Sequence, residues 1–182
     1  DRSVKPADLA QLREKETLEA ARVYGLAGVE FLRFPDQALE DTDEFRERIV
    51  WAIRKHKPDL LMCIDPGRPY IRHRDHYYSG RVTLDAVFPY SRDHLAFPEH
   101  LEGGLEPHKI EEIWLFRPQE PNTYVDVTDY FETRQNALHS HFSQVGPRSE
   151  ERDERSRKRL SETGEKQGME LAESFMKIEM FR

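Results

Sequence analysis

The 182 residues are enough for one domain with a real core, and 37% of them are hydrophobic against 35% charged. A net charge of −7 argues against a nucleic-acid binder and against a polybasic membrane anchor. No apolar run approaches the roughly 20 residues of a bilayer span, and the single Cys63, set in an apolar run, excludes an internal disulfide and reads as a small buried hydrophobe of a cytoplasmic protein.

In chain order, Asp1 to Lys5 reads as a loop, and a chain that opens mid-loop on Asp reads as processing, a fragment, or numbering that starts after an earlier portion. Pro6-Ala-Asp-Leu opens the first helix, with Pro tolerated in a first turn and Asp8 at the positive end of the dipole. Leu9, Leu12, Ala20, Val23 and Tyr24 form its apolar stripe, and Gly25 supplies the stop. Val29 to Leu32 predicts a short strand, and Pro35-Asp36 a turn. Asp41-Thr-Asp-Glu44 has the pattern of a capping box, and Phe45, Ile49, Ala52 and Ile53 line one face of the helix it would start. Asp59 to Asp65 is an apolar run without alternation, the pattern of a parallel strand covered on both faces. A helix follows from about Asp75 to Pro89. Residues 112–116 and 124–128 predict two later strands, and Thr128 or Asp129 caps a helix reaching about His141. The loop from Pro89 to His108 is long enough for a substrate lid or a subunit contact in a homo-oligomer. Residues 148–167 are nearly all polar or charged, a solvated helix on the plainer reading and a mobile excursion on the other. Gly168 to Met176 is amphipathic and predicts a final docked helix. The whole reads as a single domain over residues 1–182.

The most chemical stretch is His73-Arg-Asp-His76, between a buried strand and a helix. In open α/β sheets ligands sit beyond the carboxyl ends of the strands, where this segment falls. A helix N-terminus disfavours an imidazolium and so helps to keep a histidine neutral, as a metal ligand must be. A zinc site needs three protein ligands, and no second ligand cluster with suitable spacing occurs. Spacing alone therefore leaves a half-site, or two ordinary loop histidines.

The order of several motifs extends this. Arg13-Glu-Lys-Glu16 with Ala20-Ala21 and Tyr24-Gly25, then Phe31-Leu-Arg-Phe-Pro-Asp36, Pro58-Asp59-Leu-Leu with Asp65-Pro66, His73-Arg-Asp-His76, and Ala137-Leu138 with His141-Phe-Ser-Gln144 run in the order found in one family. Together they resemble the PIG-L (LmbE-like) family of zinc-dependent N-acetylglucosaminyl deacetylases, with Arg74 in place of a usual Pro and Tyr24 in place of a usual Leu. The resemblance implies an α/β fold, a three-layer α/β/α Rossmann-like sandwich with a mainly parallel sheet whose N-terminal strands are missing here. It implies a hydrolase that removes acetyl from an N-acetylglucosamine-type amide of a small sugar conjugate, with Zn2+ as cofactor. On that resemblance His76 is the metal ligand and His73 stabilises the oxyanion. Asp75 stands with His73 as a catalytic candidate, orienting a histidine or capping the helix rather than binding metal. Arg13, Asp36 and His141 match substrate-side positions. Each has a plain structural alternative: Arg13 pairing with Glu16, Asp36 turning the chain, His141 ending a helix. The family's A-H-P-D-D-E motif, which carries two metal ligands and the general base, does not occur in the sequence. Two other readings stand beside this one. The first is a non-catalytic sugar-binding or scaffold relative without the metal motif. The second is a nucleotide-binding α/β domain, which lacks the glycine-rich loop it would need.

Overall fold

The computed structural model describes residues 5–70 and 73–180. Seven α-helices and four strands are present among them: α1 (Pro6–Tyr24), α2 (Asp43–His56), β1 (Leu60–Ile64), α3 (Arg74–Val87), α4 (Glu99–Glu102), β2 (Glu112–Phe116), β3 (Thr123–Asp126), α5 (Phe131–Ser140), α6 (Phe142–Val145), α7 (Glu150–Glu165) and β4 (Ala172–Glu179). The strands are hydrogen-bonded in the order β1-β2-β4-β3. β1 runs parallel to β2, and β2 antiparallel to β4, so the open sheet is mixed rather than mainly parallel. The opening loop, Asp1 to Val4, and the residues Ile71 and Arg72 inside the predicted ligand loop lie outside the described residues.

The chain divides into two compact units. One comprises residues up to Phe31 with Tyr124–Glu173; the other comprises Leu32–Thr123 with the residues from Ser174 onward.

In the second unit, α2 starts at Thr42, whose hydroxyl accepts from the Phe45 amide. The cap is therefore a single Thr contact and not the reciprocal box expected from Glu44, because the helix starts where N3 is Phe45. Val50 and Ile53 of α2, Ala86 and Val87 of α3, Cys63 of β1, and Ile113 and Leu115 of β2 close one buried cluster. Covering such side chains removes about 25 cal/mol of unfavourable hydration per Å2. β1 is not covered on both faces as its apolar run predicts. Among the described residues it is the edge strand of the sheet, and Leu60 and Met62 are 40% and 50% exposed.

The stretch predicted as a final helix is the strand β4. Phe175, Met176 and Ile178 pair with Phe116, Leu115 and Ile113 of β2. A window ending at Met176 satisfies a helical period. Carried on to Glu179, the same residues alternate, and pairing with a central strand decides between the two. The predicted strand at Val29–Leu32 carries no strand assignment.

The loop from Pro89 to His108 is tied to α2 through Arg54. The guanidinium of Arg54, fully buried, donates to the carbonyls of Ser91, Tyr90, Asp93, Ala96 and Phe97 at 2.7–3.4 Å. The loop winds around one buried cation as a 3-10 turn at Tyr90–Arg92 followed by α4.

In the first unit, α1 ends at Gly25, whose φ of 67° supplies the left-handed cap. Its buried residues are Glu16, Ala20 and Ala21, while Leu12 and Tyr24 of the predicted stripe stay 43% and 52% exposed. Phe131, Leu160 and Leu171 form this unit's apolar cluster. Residues 150–165 form the charged helix α7, capped by Ser149.

Candidate functional site

The carboxyl end of β1 sets the site in the second unit. Asp65 follows the strand, its amide donating to the Phe116 carbonyl at 3.1 Å and its carboxylate accepting from the Gly67 amide at 2.7 Å. α3 then leaves from His73 and packs close to the strand end. A Cβ built on Gly80 would lie 2.3 Å from the Ile64 carbonyl oxygen, so only glycine permits this approach. The small pocket at this edge is lined by Ile64, Asp65, Pro66, His73, His76 and Tyr77, with Arg68 at its side.

His73 is the N-cap of α3, and its Nδ1 accepts from the Asp75 amide at 3.2 Å. A neutral imidazole used in this way carries its proton on Nε2. The His73 and His76 rings lie 5.0 Å apart. Desolvation holds the His76 imidazole below its ordinary pKa, and the neighbouring His73 and Arg117 push the same way against Asp75. Arg117, just past β2 with a φ of 55°, went unread in the sequence. It gains meaning only because β2 lies parallel beside β1, which brings the ends of both strands to one edge.

Asp75 is buried, and its carboxylate accepts from the Gln37 and Leu39 amides at 2.6 and 3.2 Å. Asp36 sits in that same exposed turn. His73, Asp75, His76 and Asp36 thus all fall in the second unit.

Arg13 and His141 belong to the first unit, and both act on Glu16. Glu16, 7% exposed, accepts from the Ser143 amide at 2.6 Å and from the Ser143 hydroxyl at 2.7 Å. Burial would raise its pKa, but these two bonds, with His141 and Arg13, bring it below the ordinary value. His141 closes α5 as its C-cap residue, and its Nδ1 is buried. The sequence reading took Glu16 as the end of the Arg13-Glu-Lys-Glu16 motif and as a partner for Arg13; the structure adds its two bonds to Ser143.

Fold and site together define an open α/β protein with a histidine pair beyond the carboxyl end of a parallel strand. Residues 1–87 match the PIG-L family, described as GlcNAc-PI de-N-acetylase. The chain is 33% identical over 144 residues to a diacetylchitobiose deacetylase of Thermococcus kodakarensis, covering 79% of this chain and 54% of that protein. It is 26% identical to a mycothiol S-conjugate amidase of Streptomyces coelicolor, covering 77% of this chain and 64% of that protein. Its fold matches the N,N'-diacetylchitobiose deacetylase from Pyrococcus horikoshii with a TM-score of 0.90 at 31% identity, over 98% of this chain and 67% of that one. The chain belongs to the PIG-L (LmbE-like) family. It spans about half the length of the Thermococcus relative.

The resemblance implies zinc, and the residues fit it in part. His76 suits one ligand position, since its ring is biased toward the neutral form a metal needs. His73 has its Nδ1 engaged by the Asp75 amide. Among the described residues no group of three His, Cys, Asp or Glu is arranged to hold a metal ion, and a catalytic zinc takes three protein ligands.

Proposed function

We propose that this chain forms the histidine-bearing part of a zinc-dependent hydrolase that removes acetyl from an N-acetylglucosamine-type amide in a small sugar conjugate. The observation that carries the reading is the His76 imidazole, biased toward neutrality beside His73 at the carboxyl end of β1. The named activities of the similar deacetylases and amidase support it.

His76 serves as one metal ligand. When bound, zinc would polarise the amide carbonyl and lower the pKa of water toward about 7. His73 stabilises the developing oxyanion. Its Nδ1 already accepts from the Asp75 amide, so the neutral ring offers Nε2–H as the donor, and no imidazolium is required. A single donor of this kind is worth roughly 3 kcal/mol in the transition state. Asp36, in the unit that carries the histidines, binds the sugar, while Arg13 and His141 of the other unit are substrate-side candidates by resemblance alone. The free Cys63, buried in β1, agrees with a cytoplasmic location. No helix among the described residues is long and apolar enough to cross a membrane.

Metal analysis of the full-length protein tests the assignment. Wild type is expected to retain stoichiometric zinc after dialysis, and His76→Ala to lose it. His73→Ala is expected to keep the metal and lose about 100-fold or more in kcat. Equal zinc in wild type and His76→Ala would remove His76 from the ligand set.

A further inference from the structure

We infer that Arg74 and Asp75, the two middle residues of the His73–His76 motif, form a clamp that fixes the Asp36 turn against the start of α3. They are thus positioning residues for the substrate side of the site rather than partners of the histidines. The kinetic part of this inference rests on the deacetylase reading; the structural part does not.

Both carboxylate oxygens of Asp75 are committed to backbone amides of the turn: Oδ2 accepts from Gln37 and Oδ1 from Leu39. Were Asp75 orienting His73, one of its oxygens would accept from a ring N–H. Instead the His73 Nδ1 meets the Asp75 backbone amide, and the carboxylate turns away to residues nearly forty positions earlier. Arg74 closes the clamp from the other side. Its Nε donates to the Leu39 carbonyl at 3.1 Å, and its terminal nitrogen pairs with Glu40 at 2.5 Å. The Arg74 guanidinium also lies 4.9 Å from the centre of the Tyr78 ring, one helical turn along α3, which holds the arm in place.

The turn needs such a tie. Residues 32–42 carry no helix or strand assignment, Gln37 has a φ of 63°, and the one backbone bond described within residues 35–40 is a long one, from the Ala38 amide to the Pro35 carbonyl at 3.4 Å. A buried carboxylate taking two amides is a strong local restraint, whereas a solvent-exposed ion pair is a weak one. Asp75 is 9% exposed, and the Arg74 and Glu40 side chains are 45% and 64% exposed. Asp75 is therefore the dominant arm. The arginine standing where the family usually has proline supplies the second arm, which a proline has no donor to make.

Amide hydrogen exchange and steady-state kinetics on the full-length protein test this, with an N-acetylglucosamine disaccharide as the kinetic probe. In Asp75→Asn, exchange at Gln37 and Leu39 is expected to rise about tenfold or more, with the later turns of α3 still protected. Arg74→Ala, an exposed and fold-neutral change, is expected to give a smaller rise confined to residues 39 and 40. Asp75→Asn is expected to raise KM more than it lowers kcat and to leave the pH profile in place. In an Asp36→Ala background its effect on KM should largely vanish. Unchanged exchange at Gln37 and Leu39 in Asp75→Asn overturns the clamp. A fall in kcat with a displaced pH profile and an unchanged KM overturns it in favour of a partner for His73. If wild type hydrolyses no acetylated sugar, the deacetylase reading fails by itself, and the exchange measurement still decides the clamp.

Discussion

Arg54 shows how much one side chain can organise. Among the described residues no carboxylate hydrogen-bonds its guanidinium, which satisfies five carbonyls of residues 90–97. Burial pushes its pKa down, opposed by Asp93 and Glu99. His100 joins from α4, its Nδ1 3.3 Å from the guanidinium and its Nε2 2.6 Å from Glu47. Arg54→Met would leave those carbonyls buried without donors. It is expected to cost roughly 3 kcal/mol or more in urea unfolding. Arg54→Lys, with a point charge in place of the planar fork, should fall between the two. Nothing in the sequence marks this arginine, because its partners are backbone atoms and any residue type supplies a carbonyl. Cys63 was more legible: an apolar run predicted burial, and burial with the nearby Asp65 pushes its thiol up to about 12.

Among the elements, α3 links fold to site. Its start carries His73 and His76, its middle lies against the end of β1 at Gly80, and its end enters the core through Ala86 and Val87. Gly80→Ala must push a methyl group into the Ile64 carbonyl. It is expected to destabilise the protein by about 1–3 kcal/mol and to displace the histidines with the helix. Thermal melting measures the first effect, and zinc retention of the full-length protein the second. The helix itself was legible, since its apolar residues recur at helical spacing and the loop before it is rich in proline and glycine. β4 was not, because a short amphipathic run satisfies both periods until a partner strand fixes one.

At the scale of the whole molecule, pH acts in part through carboxylates in the first unit. Glu16 is held below its ordinary pKa as described above. Burial raises Asp153, but bonds from Arg148, Gln135 and His139 outweigh it and leave this group depressed as well. A depressed carboxylate contributes stability that is present above its unfolded value, about 4, and is lost as pH falls through the folded value. Thermal stability is therefore expected to hold from neutral pH down to about 5 and to drop below about 4. The deficit of Glu16→Gln should be largest near neutrality and close at acid pH. A constant deficit across the titration would show that the Glu16 charge contributes nothing. By itself the sequence determined the α/β class, most helices, the strands at 60–64 and 112–116, the family and the histidine motif, because periodicity, turn residues and motif order are local and survive in one dimension. The tertiary structure alone decided the mixed sheet, the exposed edge of β1, the carbonyl ring around Arg54, and the pairing of Asp75 with a turn far earlier in the chain. Those features are made by backbone groups meeting across long sequence separations, and a backbone amide or carbonyl leaves no mark in the order of side chains.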